Sequence, residues 1–312
     1  MSNFKSGVAV VFLFAVWSFF SSLTDGIALT ILTVWNYPIT LLLVTFLVST
    51  AVLFVAFHVF RLAEYQDARA LVGVAPALPI AAAQSLGFLL TYMSYSRVSL
   101  SFAQTLKSTD PLVNLVFSVL FFGQSFPLGI YLAILPIVAG VALTSSSDAS
   151  FDAAGFALAL TSTACFVLRS LIAKNTLTPL TSTNCYYFLS WLGALVTLPA
   201  WLLLEAPPLF GYASPLVSPA LFGSVAPAFW AAAPPLAATA ASPLAVTPAV
   251  ALLSPPFLFK LLAVAGGHLT YNLVSYSVLM RVPALTHSVC NVTRRIGVIA
   301  SRYAPAARRS FF

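Results

Sequence analysis

Charge is what this chain lacks most. Lys and Arg number 14 and Asp and Glu only 7, so 7% of the 312 residues are charged while 60% are hydrophobic. A soluble domain carries about 25% charged residues, and no soluble fold hides this much apolar surface. The apolar runs are long and continuous rather than alternating, which excludes an outer-membrane barrel. What is left is an all-α, polytopic helical membrane protein with lipid around it. Cysteine is equally sparse. Cys165, Cys185 and Cys290 are odd in number and share no metal-ligand spacing, so they read as small buried hydrophobes rather than a disulfide framework or metal site. The net charge of +7 is spread singly over helix ends, so nucleic acid is not an expected partner. No P-loop, no GxGxxG after a strand, no nucleophile elbow and no HExxH is present. No loop is long and polar enough for an ATPase. The chain therefore reads as neither an enzyme nor a holder of a cofactor or metal.

Nine segments of spanning length can be marked, at 7–33, 38–60, 72–95, 97–122, 126–146, 154–176, 184–204, 256–280 and 282–301. Turn residues or charge fill the gaps between them. The first segment follows Lys5 and runs through Phe20 with no A-x-A-like cleavage site, so it reads as a spanning helix rather than a signal peptide. No Arg- and Ser-rich transit peptide precedes it, so the expectation is entry into secretory membranes or a chain given without its leader. Lys5, Arg61, Arg69, Lys174 and Arg281 fall in loops on the N-terminal side, which places that side in the cytosol or its equivalent. Residues 206–255 are dominated by Ala, Pro, Ser and Leu, with prolines too frequent for a stable helix. A low-complexity insert is the favoured reading there, over a lumenal lid.

Against this apolar background stand Lys107, Arg294 and Arg295, inside the fourth and ninth segments. A basic residue at mid-membrane costs about 2.5–3.5 kcal/mol on insertion scales unless it faces a wet, protein-lined cavity. Gln104, Lys107 and Pro111 share a helical face, and Pro111 frees the carbonyl of Lys107. Asp110 lies three residues beyond Lys107, so a structural ion pair between them is the competing reading. In the ninth segment His287, Asn291 and Arg294 share a face with Arg295 beside it. The alternative there is a snorkelling pair at a helix end. Tyr271 precedes Arg294 by 23 residues, so a hairpin brings the two to similar depth, although a lone Tyr also serves as an interfacial anchor. His268 reads as a packing residue. The stretch Thr91-Tyr92, Ser94-Tyr95-Ser96, Arg97-Val98, Leu100-Ser101 before Lys107 is echoed by Thr270-Tyr271, Ser275-Tyr276-Ser277, Arg281-Val282, Leu285-Thr286 before Arg294. Such an echo fits a duplicated transporter with its site at the repeat interface.

SLSFAQTLKSTDPLVN (99–114) and YNLVSYSVLMRVPALTHSVCNVTRRIGVI (271–299) resemble the two signatures of the triose-phosphate/phosphate translocator family, within the drug/metabolite transporter superfamily. The resemblance covers roughly 7–205 and 256–300. It implies a ten-helix fold of two inverted repeats, here 7–146 and 154–301 within a single transmembrane domain, 1–312. It also implies a phosphate cradle of Lys107, Arg294 and Arg295, with hydroxyls from Thr91 and Tyr271. Gln104, His287 and Asn291 complete the candidate site. Gln104 stands where the family has His, and Phe88 where a further His is expected. In place of a tenth helix the chain ends RYAPAARRSFF, an ending expected of a truncated gene model with 302–312 as an atypical tail. The implied function is antiport of a phosphorylated C3–C6 metabolite against inorganic phosphate, in the plastid envelope. The alternatives are a nucleotide-sugar transporter of Golgi or endoplasmic reticulum membranes, and a membrane protein that does not transport.

Overall fold

The computed structural model describes residues 2–147, 151–210 and 254–303. Among these residues the structure is helical throughout, with no strand. In chain order the elements are α1 (Ser2–Val34), α2 (Pro38–His58), α3 (Ala68–Leu71), α4 (Val74–Tyr95), α5 (Leu100–Lys107), α6 (Asp110–Phe122), α7 (Leu128–Ser147), α8 (Ala153–Thr176), α9 (Ser182–Leu204), α10 (Ala206–Leu209), α11 (Pro255–Leu279) and α12 (Ala284–Tyr303). Seven helices are long and apolar enough to cross a membrane: α1 over Phe12–Val34, then α2, α4, α7, α8, α9 and α11. The chain is an integral membrane protein.

The expectation was nine, and the two missing segments fail that standard for physical reasons. The fourth is not one helix. Ser108 and Thr109 turn their hydroxyls back onto the carbonyls of Gln104 and Leu106, which offers the backbone an alternative to the helical ladder. Pro111 then opens a new helix in its first turn, where its missing N–H is harmless. The result is α5 and α6 in tandem. The ninth segment, α12, does form, but with a strongly polar face in place of a uniformly apolar surface.

Local signals set most other boundaries. Ser99, Asp152 and Thr181 cap α5, α8 and α9 by accepting from the N–H of Phe102, Gly155 and Asn184. Gly123 ends α6 in the left-handed conformation, φ +61°, where a glycine carries no Cβ penalty. Residues 206–209, expected to open the low-complexity insert, instead form a helical turn with Ala206 and Leu209 buried. Residues 211–253 of that insert, and the tail from 304, lie outside the described residues. Of the cysteines, Cys185 is buried as expected, while Cys165 and Cys290 are only half-buried.

The largest interfaces join α4 to α8 and α1 to α11. Gly267 permits the second of these, since a Cβ there would run into the Thr24 hydroxyl. The packing has an exchange property. Let α1, α2, α4 and α6 trade places with α8, α9, α11 and α12. Then α4–α8 becomes α11–α1, α4–α9 becomes α11–α2 and α6–α8 becomes α12–α1, while α2–α9 and α6–α12 map onto themselves; every one of these contacts is made.

Candidate functional site

Inside the bundle, a cavity with room of about 60 Å³ for the centres of water-sized molecules is lined by α1, α4, α5, α8, α11 and α12 together with Asp110. All eight residues singled out from sequence line it: Thr91, Gln104, Lys107, Tyr271, His287, Asn291, Arg294 and Arg295. So do two charged residues the sequence reading passed over, Asp25 of α1 and Arg169 of α8.

Lys107 is 5% exposed at the end of α5. Its ammonium donates to the Thr91 hydroxyl, which is itself 2.7 Å from the Ser162 hydroxyl. The rings of Tyr95 and Phe166 lie 5.8 and 5.5 Å from the nitrogen. The competing ion pair with Asp110 is not made. Asp110 heads the new helix α6 and turns to α12 instead. There its carboxylate accepts from the Ser288 hydroxyl at 3.2 Å, from the Asn291 amide, and from Arg295 at 3.5 Å. The break at Ser108-Thr109 removes the continuous turn that an i,i+3 pair needs.

Arg295 is 3% exposed. One edge of its guanidinium faces Asp110, while Nε and Nη1 are buried and have no partner among the described residues. Arg294 donates through Nε and Nη2 to the Asn291 amide oxygen, at 3.1 and 2.7 Å, and lies 5.3 Å from the Trp17 ring. Trp17 in turn stacks on His287 at 5.0 Å, and His287 Nε2 is 3.1 Å from the Ser275 hydroxyl. These two arginines are therefore not snorkelling at a helix end; they are packed and oriented. Arg169 bonds to Ser170 at 3.2 Å and lies over the rings of Phe166 and Tyr276, and its Nε is also buried without a partner. Tyr271 faces this cavity rather than the membrane interface.

Four cations, Lys107, Arg169, Arg294 and Arg295, thus share a cavity with two carboxylates, Asp25 and Asp110, a formal excess of +2. Buried guanidinium N–H groups left without acceptors are expensive, and a ligand with several anionic oxygens can satisfy more than one at once. His268, by contrast, is fully buried among Phe46, Phe88 and Tyr271, bonded at Nδ1 to the Tyr186 hydroxyl at 3.0 Å. Among the described residues no group of three or more His, Cys, Asp or Glu is placed to hold a metal ion.

Arg169 was legible in principle, as a cation inside the apolar run of α8. Lys174, five residues on, made that stretch look like an ordinary solvated helix end. Asp25 was legible as a lone acid deep in a 33-residue helix.

A polytopic bundle with a central, polar, cation-rich cavity has the architecture of a small-molecule transporter. Over residues 8–303 the sequence matches the Triose-phosphate Transporter family, and the chain belongs to that family. It is 30% identical over 222 residues to the chloroplastic triose phosphate/phosphate translocator of Pisum sativum, covering 71% of this chain and 48% of that one. It is 29% identical over 224 residues to the translocator of the same name in Flaveria pringlei, covering 71% and 47%. To glucose-6-phosphate/phosphate translocator 2, chloroplastic, of Arabidopsis thaliana it is 28% identical over 225 residues, covering 72% and 50%. The chain spans about half the length of the curated relatives it matches.

Proposed function

We propose that this protein exchanges a phosphorylated C3–C6 metabolite for inorganic phosphate across a membrane, by alternating access. The carrying observation is the half-satisfied guanidinium of Arg295: one edge on Asp110, the other buried and unpartnered in a cavity of positive excess. In this reading Lys107, Arg294 and Arg295 hold the phosphate, and Thr91 and Tyr271 add hydroxyls. Asn291 orients Arg294, His287 supports Trp17 beneath it, and Gln104 faces the carbon skeleton. Arg169 adds to the field that draws the anion in. The relatives named above carry triose phosphate or glucose 6-phosphate against phosphate in chloroplasts, which supports the substrate class and a plastid envelope.

The exchange symmetry of the packing supports two repeats, 7–146 and 154–301. If the tandem α5–α6 is taken as one passage beside α1, α2, α4 and α7, the first repeat has five, and an odd number inverts the second relative to the first. A cavity between two such halves can open to either side as they rock. Without an anion the clustered cations repel one another, so the empty protein crosses slowly, and that ties efflux to influx. Net flux as fast as exchange would contradict this coupling.

Thermal unfolding of the purified protein tests the site. Inorganic phosphate and three-carbon phosphates at about 100 times their dissociation constants should stabilise it by about 2.7 kcal/mol. Lys107→Ala and Arg294→Ala should abolish that shift. A response to nucleotide sugars alone would reassign the substrate, and no response to any phosphate compound would remove the proposal.

A further inference from the structure

The positive excess of the cavity is not uniform, and Asp25 is the exception. It is half-buried on α1, one helical turn from Ser21, and both line the cavity. Among the described residues no cation lies within 4 Å of its carboxylate, and its hydrogen bond there comes from Gln104 Nε2, at 3.1 Å. Asp110, the other carboxylate of the cavity, has three donors, one of them the Arg295 guanidinium. An ionised carboxylate offers about four lone-pair positions, so Asp25 retains acceptor capacity facing the ligand space.

Gln104 extends the same character. A carboxylate cannot donate, so the Gln104 amide must present its NH₂ to Asp25. That NH₂ also donates to the Tyr95 hydroxyl at 3.0 Å. Both amide hydrogens are then used, and the amide oxygen has no partner among the described residues. Asp25 and Gln104 together make an acceptor-rich, negative pole in a cavity whose other charged groups are four cations and the Asp110 carboxylate, which is already engaged by Arg295.

We propose that Asp25, oriented by Gln104, sets the specificity for the organic part of the substrate: phosphate monoesters whose carbon skeleton offers hydroxyl donors are accepted, and those with a carboxylate in place of those donors are rejected. The proposal rests on the phosphate-carrying reading above. The physical basis is twofold. A hydroxyl reaching Asp25 makes a charge-assisted hydrogen bond. A carboxylate at the same place meets a like charge with no donor between them, and discrimination by unpaired or repelling buried groups is steep.

Glycerol 3-phosphate and phosphoenolpyruvate separate these cases, since the first has two hydroxyls and the second a carboxylate and no hydroxyl. Dissociation constants of both, and of inorganic phosphate, would be measured on the full chain for wild type, Asp25→Asn and Asp25→Ala. Wild type should prefer glycerol 3-phosphate by about tenfold or more. Both variants should shrink that preference to about threefold or less while still binding inorganic phosphate, whose retention shows that the fold and the cationic pole are intact. Inorganic phosphate, measured alongside, reports any general gain in anion affinity on losing a negative charge. An unchanged ratio in whichever variant binds phosphate would overturn the assignment, as would equal binding of the two esters by wild type. If wild type binds none of the three, the phosphate-carrying reading itself falls, an outcome distinct from the loss of specificity alone.

Discussion

Two buried carboxylates in this protein do opposite things. Glu205 is fully buried just beyond the end of α9, and it accepts from the N–H of Ile39 at 2.8 Å, the N–H of Thr40 at 2.6 Å and the Thr40 hydroxyl at 2.7 Å. It caps α2 from another helix, and the helix start satisfies it completely. Asp110 is almost as buried, but its partner Arg295 keeps two guanidinium nitrogens, Nε and Nη1, unpaired among the described residues. A buried charge whose partners are saturated within the chain is architecture. One that leaves donors over, beside a cavity, is prepared for a ligand. The comparison can be broken by removing each partner in turn.

Arg295→Ala should give the largest effect. It leaves the Asp110 carboxylate buried without a countercharge, which costs about 3–5 kcal/mol, and it should also abolish stabilisation by phosphate. Adding Asp110→Asn should restore most of the stability without restoring the phosphate response. Unfolding of the single and double variants, with and without phosphate, checks both halves of this expectation. If the double variant responded to phosphate like wild type, Arg295 would belong with Glu205 as architecture.

Glu205→Ala should destabilise by about 2–3 kcal/mol, since two backbone N–H groups at the start of α2 lose their acceptor, while phosphate affinity stays as in wild type. Its pH dependence sharpens the contrast. Burial pushes the Glu205 carboxyl up to about 7, against the Thr40 hydroxyl and the two N–H groups that pull it down. A carboxyl near 4.5 when unfolded and near 7 when folded binds more protons in the folded state. Its contribution to stability is thus fully present below about pH 4.5 and is lost as pH rises through about 7. Unfolding free energies of wild type relative to Glu205→Gln should therefore fall between those two values and level off above them. A flat difference would mean that the carboxyl titrates in its ordinary range.

The same two sites show what the sequence could and could not disclose. Lys107, Arg294 and Arg295 stood out because cations in apolar segments are anomalous wherever they point, and the eight predicted residues do line one cavity. The partners were hidden because they are distant in sequence. Asp110 reaches residues 178 to 185 positions away, whereas sequence spacing displays only the i,i+3 neighbour Lys107. The fourth segment reads as continuous by hydropathy, and the break that separates Asp110 from Lys107 depends on two hydroxyls folding back on the helix. Asp25 went unread because an excess of cations directs attention away from acids. Glu205 adjoins a proline-rich stretch and looked like its edge. Charge anomalies are local and legible; their compensation is tertiary and is not.

The smallest effect probes the periphery of the Glu205 cap. Trp201, one helical turn before Glu205, donates its indole N–H to the Thr40 hydroxyl at 2.9 Å, and that hydroxyl donates on to Glu205. Trp201→Phe keeps an aromatic ring and removes only this donor. Thr40 can still donate, so the carboxylate keeps all three of its own bonds, and the loss should be about 1 kcal/mol, the net worth of one hydrogen bond. In the Glu205→Ala background the same change should cost less, because the Thr40 hydroxyl no longer carries the link to a charge. A double-mutant cycle of thermal unfolding measures that coupling. Equal costs in both backgrounds would make Trp201 a packing residue rather than the outer member of the cap.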